Sequence, residues 1–129
     1  MLITAARDSR AFVEAARGPG GIYSLERWPQ VRGRIRPSVG ARQAEAAVAR
    51  LRVAQRLMMG FLDPVEDALF LTAGLRGMGI VASFHLGREL APMAPPAGFY
   101  AWVQCGDDVV STSLPVREEY LEVYRCAEG

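Results

Sequence analysis

Apolar residues in the first part of the chain recur at helical spacing. Thr4 to Arg17 is Ala-rich with Phe12 and Val13 to one side, and Gly18-Pro19-Gly20-Gly21 ends the run. Ala44, Ala47, Val48, Leu51, Ala54, Leu57 and Met58 repeat the spacing, while Arg42, Arg50, Arg52 and Arg56 fall mostly elsewhere. This predicts a long helix from Ala41 to Met58, with Gly60 closing it and Met58-Met59 filling core space. Asp63-Pro64-Val65-Glu66 predicts the start of the next helix: a carboxylate cap, Pro at the first helical position and Glu three residues after the cap. Its buried face is Ala68, Leu69, Leu71, Thr72 and Leu75, and Gly77 and Gly79 end it.

The pattern then changes. Ile80 to Leu86 and Phe99 to Cys105 read as strands, separated by a loop rich in Pro from Gly87 to Gly98. Gly106-Asp107-Asp108 reads as a tight turn and Val109 to Ser113 as a third strand. Pro115 opens a final predicted helix, with Val116, Tyr120, Val123 and Tyr124 to one side. Residues 18–37 form a connector anchored by Tyr23, Leu25 and Trp28, in which Arg-Gly-Arg-Ile-Arg is either a short edge strand or a solvated loop. The fold class expected is α+β, with N-terminal helices packed on a small antiparallel sheet. One globular unit is expected, in two parts: a helix and Arg-rich connector over 1–40, and the main domain over 41–129.

Composition narrows the function classes. The chain has 129 residues, 50% hydrophobic and 22% charged, an ordinary balance for a soluble globule. No apolar run approaches the roughly 18 residues of a membrane span. Met1-Leu2-Ile3 gives way at once to Ala-Ala-Arg-Asp, so no export signal and no membrane association are expected, and a cytoplasmic location is. All 15 basic residues are Arg. Residues 1–56 hold 11 of them against four acids, and residues 57–129 hold four against ten. The net +1 therefore hides a basic first half and an acidic second half. Either the halves pack together and complement each other, or Arg27, Arg32, Arg34 and Arg36 present a surface to an acidic peptide. Nucleic acid is not expected, because the total charge is near zero and basic residues are not interleaved with aromatics. Cys105 and Cys126 read as free thiols, and with His85 they supply neither the number nor the spacing of a zinc site, so no metal or cofactor is expected.

Cysteine-type acyl transfer needs a thiolate, an imidazole to carry its proton and a polar group to orient that imidazole. Glu66-Asp67-Ala68-Leu69-Phe70-Leu71, followed by Leu75-Arg76-Gly77-Met78-Gly79-Ile80, resembles the helix-to-strand part of the transglutaminase-like (papain-like) cysteine protease superfamily. Tyr100-Ala101-Trp102-Val103-Gln104 resembles the strand that carries that superfamily's His. Within it, the likeness is greatest to the leader-cleaving maturation protease of lasso-peptide biosynthesis, whose Arg- and Ala-rich helix resembles Ala41 to Met58. It covers about residues 41–115.

The resemblance implies a transglutaminase-like core with its catalytic positions emptied. The nucleophile would fall at Pro64 or Val65, which have no reactive atom; the base at Tyr100; the orienting acid near Val110, Ser111 or Thr112. A Tyr, with a reference pKa of about 10, does not simply replace a His. The function implied is that of a non-catalytic protein of a bacterial ribosomal-peptide modification pathway, binding a precursor or leader peptide or a partner enzyme of that pathway. Tyr100, His85 and Trp102 would line its cleft, and Arg32, Arg34 and Arg36 would steer an acidic peptide. Two alternatives stay open: an enzyme of altered acid–base chemistry using Tyr100 and His85 on a peptide, and an assembly factor that stabilises a partner. A Cys105–His85 dyad conflicts with strand alternation, which sends Cys105 to the face opposite Tyr100. Asp63 and Glu66 read as capping residues before they read as an acid/base pair.

Overall fold

The computed structural model describes residues 2–18, 23, 28–31, 40–90 and 98–126. Four helices and four strands occur in the order α1 (Leu2–Ala16), α2 (Ala41–Met59), α3 (Pro64–Gly77), β1 (Ser83–Glu89), β2 (Phe99–Cys105), β3 (Asp108–Val109), α4 (Val116–Glu119) and β4 (Tyr120–Cys126). The class is α+β, as the patterning predicts. Arg27, Arg32, Arg34 and Arg36 lie outside the described residues, as do Leu25, Pro37 and most of the Pro-rich loop.

Helix α3 is the axis of the molecule. The Asp63 carboxylate accepts the Glu66 amide at 2.8 Å and Pro64 takes the first turn, so the start signal works as its chemistry dictates. Every residue from Ala68 to Arg76 is buried, because α1 and α2 cover one side and the sheet covers the other. The three helices meet at Gly74. A Cβ there would lie 2.8 Å from Leu51 of α2 and 3.0 Å from the Ser9 hydroxyl of α1, so only glycine lets them approach this closely. At the far end Gly79, at φ +82°, turns the chain back toward the sheet.

The sheet is antiparallel throughout, in the order β3-β2-β1-β4. β1 pairs with β2 so that Phe84 faces Val103, His85 faces Trp102, Leu86 faces Ala101 and Gly87 faces Tyr100. Alternation then sorts the side chains. Phe84, Leu86, Ala101 and Val103 pack toward the helices, and Ser83, His85, Tyr100, Trp102 and Gln104 take the outer face.

Two predicted elements are corrected. The final helix stops after one turn, and Tyr120–Cys126 is instead strand β4, paired along the free edge of β1. Its apolar residues fit helical spacing by coincidence, while Tyr, Val and Tyr suit a pleated, half-exposed strand better than a helix. A bulge opposite Leu86 and Gly87 brings both Glu122 and Arg125 to the outer face. The third strand shrinks to two residues, and Ser111 continues the contact with β2 through its side chain. Leu57, expected in the core, points to solvent.

Candidate functional site

Two regions carry chemistry. The first lies at the amino end of α3, where the resemblance puts the catalytic positions. A groove of about 220 Å³ there is bordered by Arg52, Gln55, Arg56, Phe61, Leu62, Pro64, Asp67 and Tyr100. Pro64 and Tyr100, the positions matching nucleophile and base, thus border one opening. Val65 turns partly into the core. The polar groups beside the groove are already engaged. Arg52 meets Asp67 through two nitrogens, at 2.8 and 3.3 Å, and Gln55 donates to the same carboxylate at 3.0 Å. Arg52 also donates to the Ser111 carbonyl at 2.6 Å, while the Ser111 hydroxyl accepts the Val103 amide at 2.9 Å. Ser111 therefore ties the sheet together instead of orienting a base.

The capping acids are engaged too. Tyr23 donates to Asp63 at 3.3 Å, and Arg17 pairs with Glu66. Desolvation, then the neighbouring Asp63 charge, pushes the Tyr23 phenol up.

The second region is the outer face of the sheet. His85 is buried and stacks on Trp102, with ring centroids 5.7 Å apart and planes 9° from parallel. Its Nδ1 meets Glu122, and its Nε2 lies 2.8 Å from the Ser83 hydroxyl. Burial is the largest influence on His85 and lowers its pKa; Glu122 offsets this in part. A neutral ring fits both partners, with Nδ1–H donating to Glu122 and Nε2 accepting from Ser83. Serine, imidazole and carboxylate stand in the order that activates a nucleophile. A groove of about 470 Å³ opens over His85 and Trp102, walled by Gln104, Asp107, Arg117, Glu122 and Arg125. Ser83 is 1% exposed and does not line it. The array is present, but its hydroxyl is closed off from that groove.

Tyr100, His85 and Trp102 share the sheet's outer face but do not line one cleft: His85 and Trp102 lie under the second groove and Tyr100 borders the first. Tyr100 sits one pair further along than His85, however, and stacks on Tyr120 with centroids 5.5 Å apart. Cys105 packs on the helix side, away from His85, so no Cys–His dyad forms. Sequence reasoning missed Ser83 and Glu122. Ser83 was legible, since Ser-x-His on a strand puts both side chains on one face. Glu122 was hidden by the helical reading of its segment. Among the described residues no cluster of His, Cys, Asp and Glu has the makings of a metal site. No helix among them is long and apolar enough to cross a membrane. No protein-family model, curated protein or solved structure matches the chain.

Proposed function

We propose that the chain is a non-catalytic member of the transglutaminase-like frame, similar to lasso-peptide maturation proteases, and that it binds a precursor or leader peptide in the groove at the start of α3. One observation carries this reading: Pro64 and Tyr100, which match the nucleophile and base positions, border the same groove, and neither offers a thiolate or an imidazole. The groove supplies apolar surface from Phe61 and Leu62 beside the Arg56 guanidinium, with Tyr100 at its border, a combination suited to a peptide with an apolar anchor next to an acid. The test is calorimetric titration with leader peptides of short ribosomal precursors, alongside pulldown with the modifying enzymes of the same pathway. Binding that weakens in Tyr100→Ala supports the reading. Failure to bind every peptide and every enzyme removes it.

One observation favours a second reading, hydrolysis by the Ser83–His85–Glu122 array. Here the Ser83 oxygen would attack a carbonyl, His85 Nε2 would take its proton and return it to the leaving group, and water would release the acyl group. It ranks second because Ser83 is closed off and does not line the groove over His85. A fluorophosphonate probe that labels the wild type but not Ser83→Ala would promote it. An unlabelled wild type dismisses it.

A further inference from the structure

Helix α2 carries apolar side chains outward as well as inward, and the two sides match in size. Its inner side presents Ala44, Ala47, Val48 and Leu51 to the core. Its opposite side holds Arg42, Ala46, Ala49, Arg50, Val53, Arg56 and Leu57, which fall on one face at helical spacing. Val53 is 62% exposed and Leu57 84%, and the line runs on to Phe61, at 85%, just past the helix end. The Arg56 guanidinium lies 4.7 Å above the Phe61 ring and holds it in place. A helix stabilised only by its own domain ordinarily keeps its solvent side polar. Single exposed apolar residues are ordinary, but two large ones in line on one helix with a third just past its end make an interaction face.

We infer that this outward face of α2 is the docking surface for a second protein that presents an acidic amphipathic helix. The charge identifies the occupant. The face carries three arginines over about 22 Å of helix, against a single acid on α2, Glu45, at its border. Ala46 and Ala49 leave a shallow notch in which a partner ridge sits, and Val53, Leu57 and Phe61 supply the anchors beyond it. A lipid surface fits less well, because Arg42, Arg50 and Arg56 stand within the apolar stripe instead of flanking it, and the alanines offer little to insert. The surface meets the peptide groove at Arg56 and Phe61, which border both, and otherwise lies on the outer side of α2.

The test uses the full chain and a fluorescent synthetic helix of about 20 residues, with Leu at every third and fourth position and Glu between. Controls are the same helix with Lys for Glu, a scramble that disperses the Leu stripe, and phosphatidylglycerol–phosphatidylcholine vesicles. The acidic helix is expected to bind at least about tenfold more tightly than either control peptide, and added salt weakens it. Val53→Ser with Leu57→Ser is expected to weaken it by about tenfold or more while circular dichroism stays unchanged, since both positions are exposed. Tyr100→Ala leaves it unaltered, which separates this surface from the peptide groove. The inference is overturned by absent binding, by equal binding of acidic and basic helices, or by indifference to the double substitution. It is equally overturned if vesicles, or a second copy of the chain seen by sedimentation, prove to be what Leu57 binds.

Discussion

Substituting Gly87→Ala tests the packing of the outer face, on which any role of His85 depends. A Cβ at Gly87 would lie 2.7 Å from Trp102 Cζ3, 2.7 Å from Tyr120 Cβ and 3.0 Å from Trp102 Cη2. Carbon atoms pack best at about 3.5–4.0 Å, so each contact is roughly an ångström too short. Neither neighbour yields easily. Tyr120 Cβ is fixed to its strand, and the Trp102 ring is stacked on His85 and donates Nε1–H to Gln104 at 2.9 Å. At an unstrained site Gly→Ala stabilises by about 0.4–1 kcal/mol through the unfolded chain. Overpacking of this severity costs about 1–3 kcal/mol, so the sign should reverse to a net loss on the order of 1–2 kcal/mol. Urea denaturation followed by tryptophan fluorescence reads the loss, and near-ultraviolet circular dichroism reads the displaced indole. Cζ3 and Cη2 belong to the outer ring of the indole, which Phe lacks, so Gly87→Ala should cost less in a Trp102→Phe background. That coupling is the specific signature. An alanine variant as stable as the wild type, with unchanged near-ultraviolet signal, would refute the geometry.

Asp63→Ala should destabilise by about 1 kcal/mol, because the cap bond to the Glu66 amide is lost; thermal and urea unfolding measure it. Asp67→Asn removes the charge that Arg52 grips, and with both groups partly exposed the cost should be about 1–2 kcal/mol; a Ser111→Ala change adds to it and should loosen amide protection at Val103 in hydrogen exchange. For His85, burial lowers the folded pKa below the unfolded value, so the unfolded chain takes up the proton first. Stability is then full above about pH 6.5 and declines as pH falls from there through the folded value. Urea midpoints measured across that window should fall more steeply in the wild type than in His85→Phe, and parallel curves would contradict the assignment.

Local signals were legible where chemistry leaves one choice. Asp-Pro-x-Glu has one good use, and α3 begins there. The α2 spacing and the β1–β2 pairing were legible for the same reason: long periodic segments leave little ambiguity about which side is buried. Tyr120–Cys126 was not, because apolar residues at four-residue spacing satisfy a helix and an edge strand alike, and only pairing with β1 decides. Leu57 was misplaced because periodicity finds the stripe but not how far around the helix the core reaches; α2 is covered only as far as Leu51 and Gln55 on that side. At the candidate site, Pro64 and Tyr100 border one groove. The Ser83–His85–Glu122 array needed the register of β4 and its bulge, which no local pattern encodes.

The uneven charge along the chain now divides into two uses. Among the described residues, Arg17–Glu66 and Arg52–Asp67 join the basic half to the acidic half, both at the first turns of α3. These pairs neutralise carboxylates beside the helix terminus and fix the wall of the groove, so that part of the asymmetry serves the interior. Arg42, Arg50 and Arg56 point the other way, off the outer side of α2. Self-complementation therefore does not account for the basic excess of the first half. On α2, Arg52 turns toward Asp67 while Arg42, Arg50 and Arg56 face outward, and Arg52 lies close to the border of that outer side. A charge reversal at Arg50 should then leave folding intact and change recognition, while the same change at Arg52 should do the opposite.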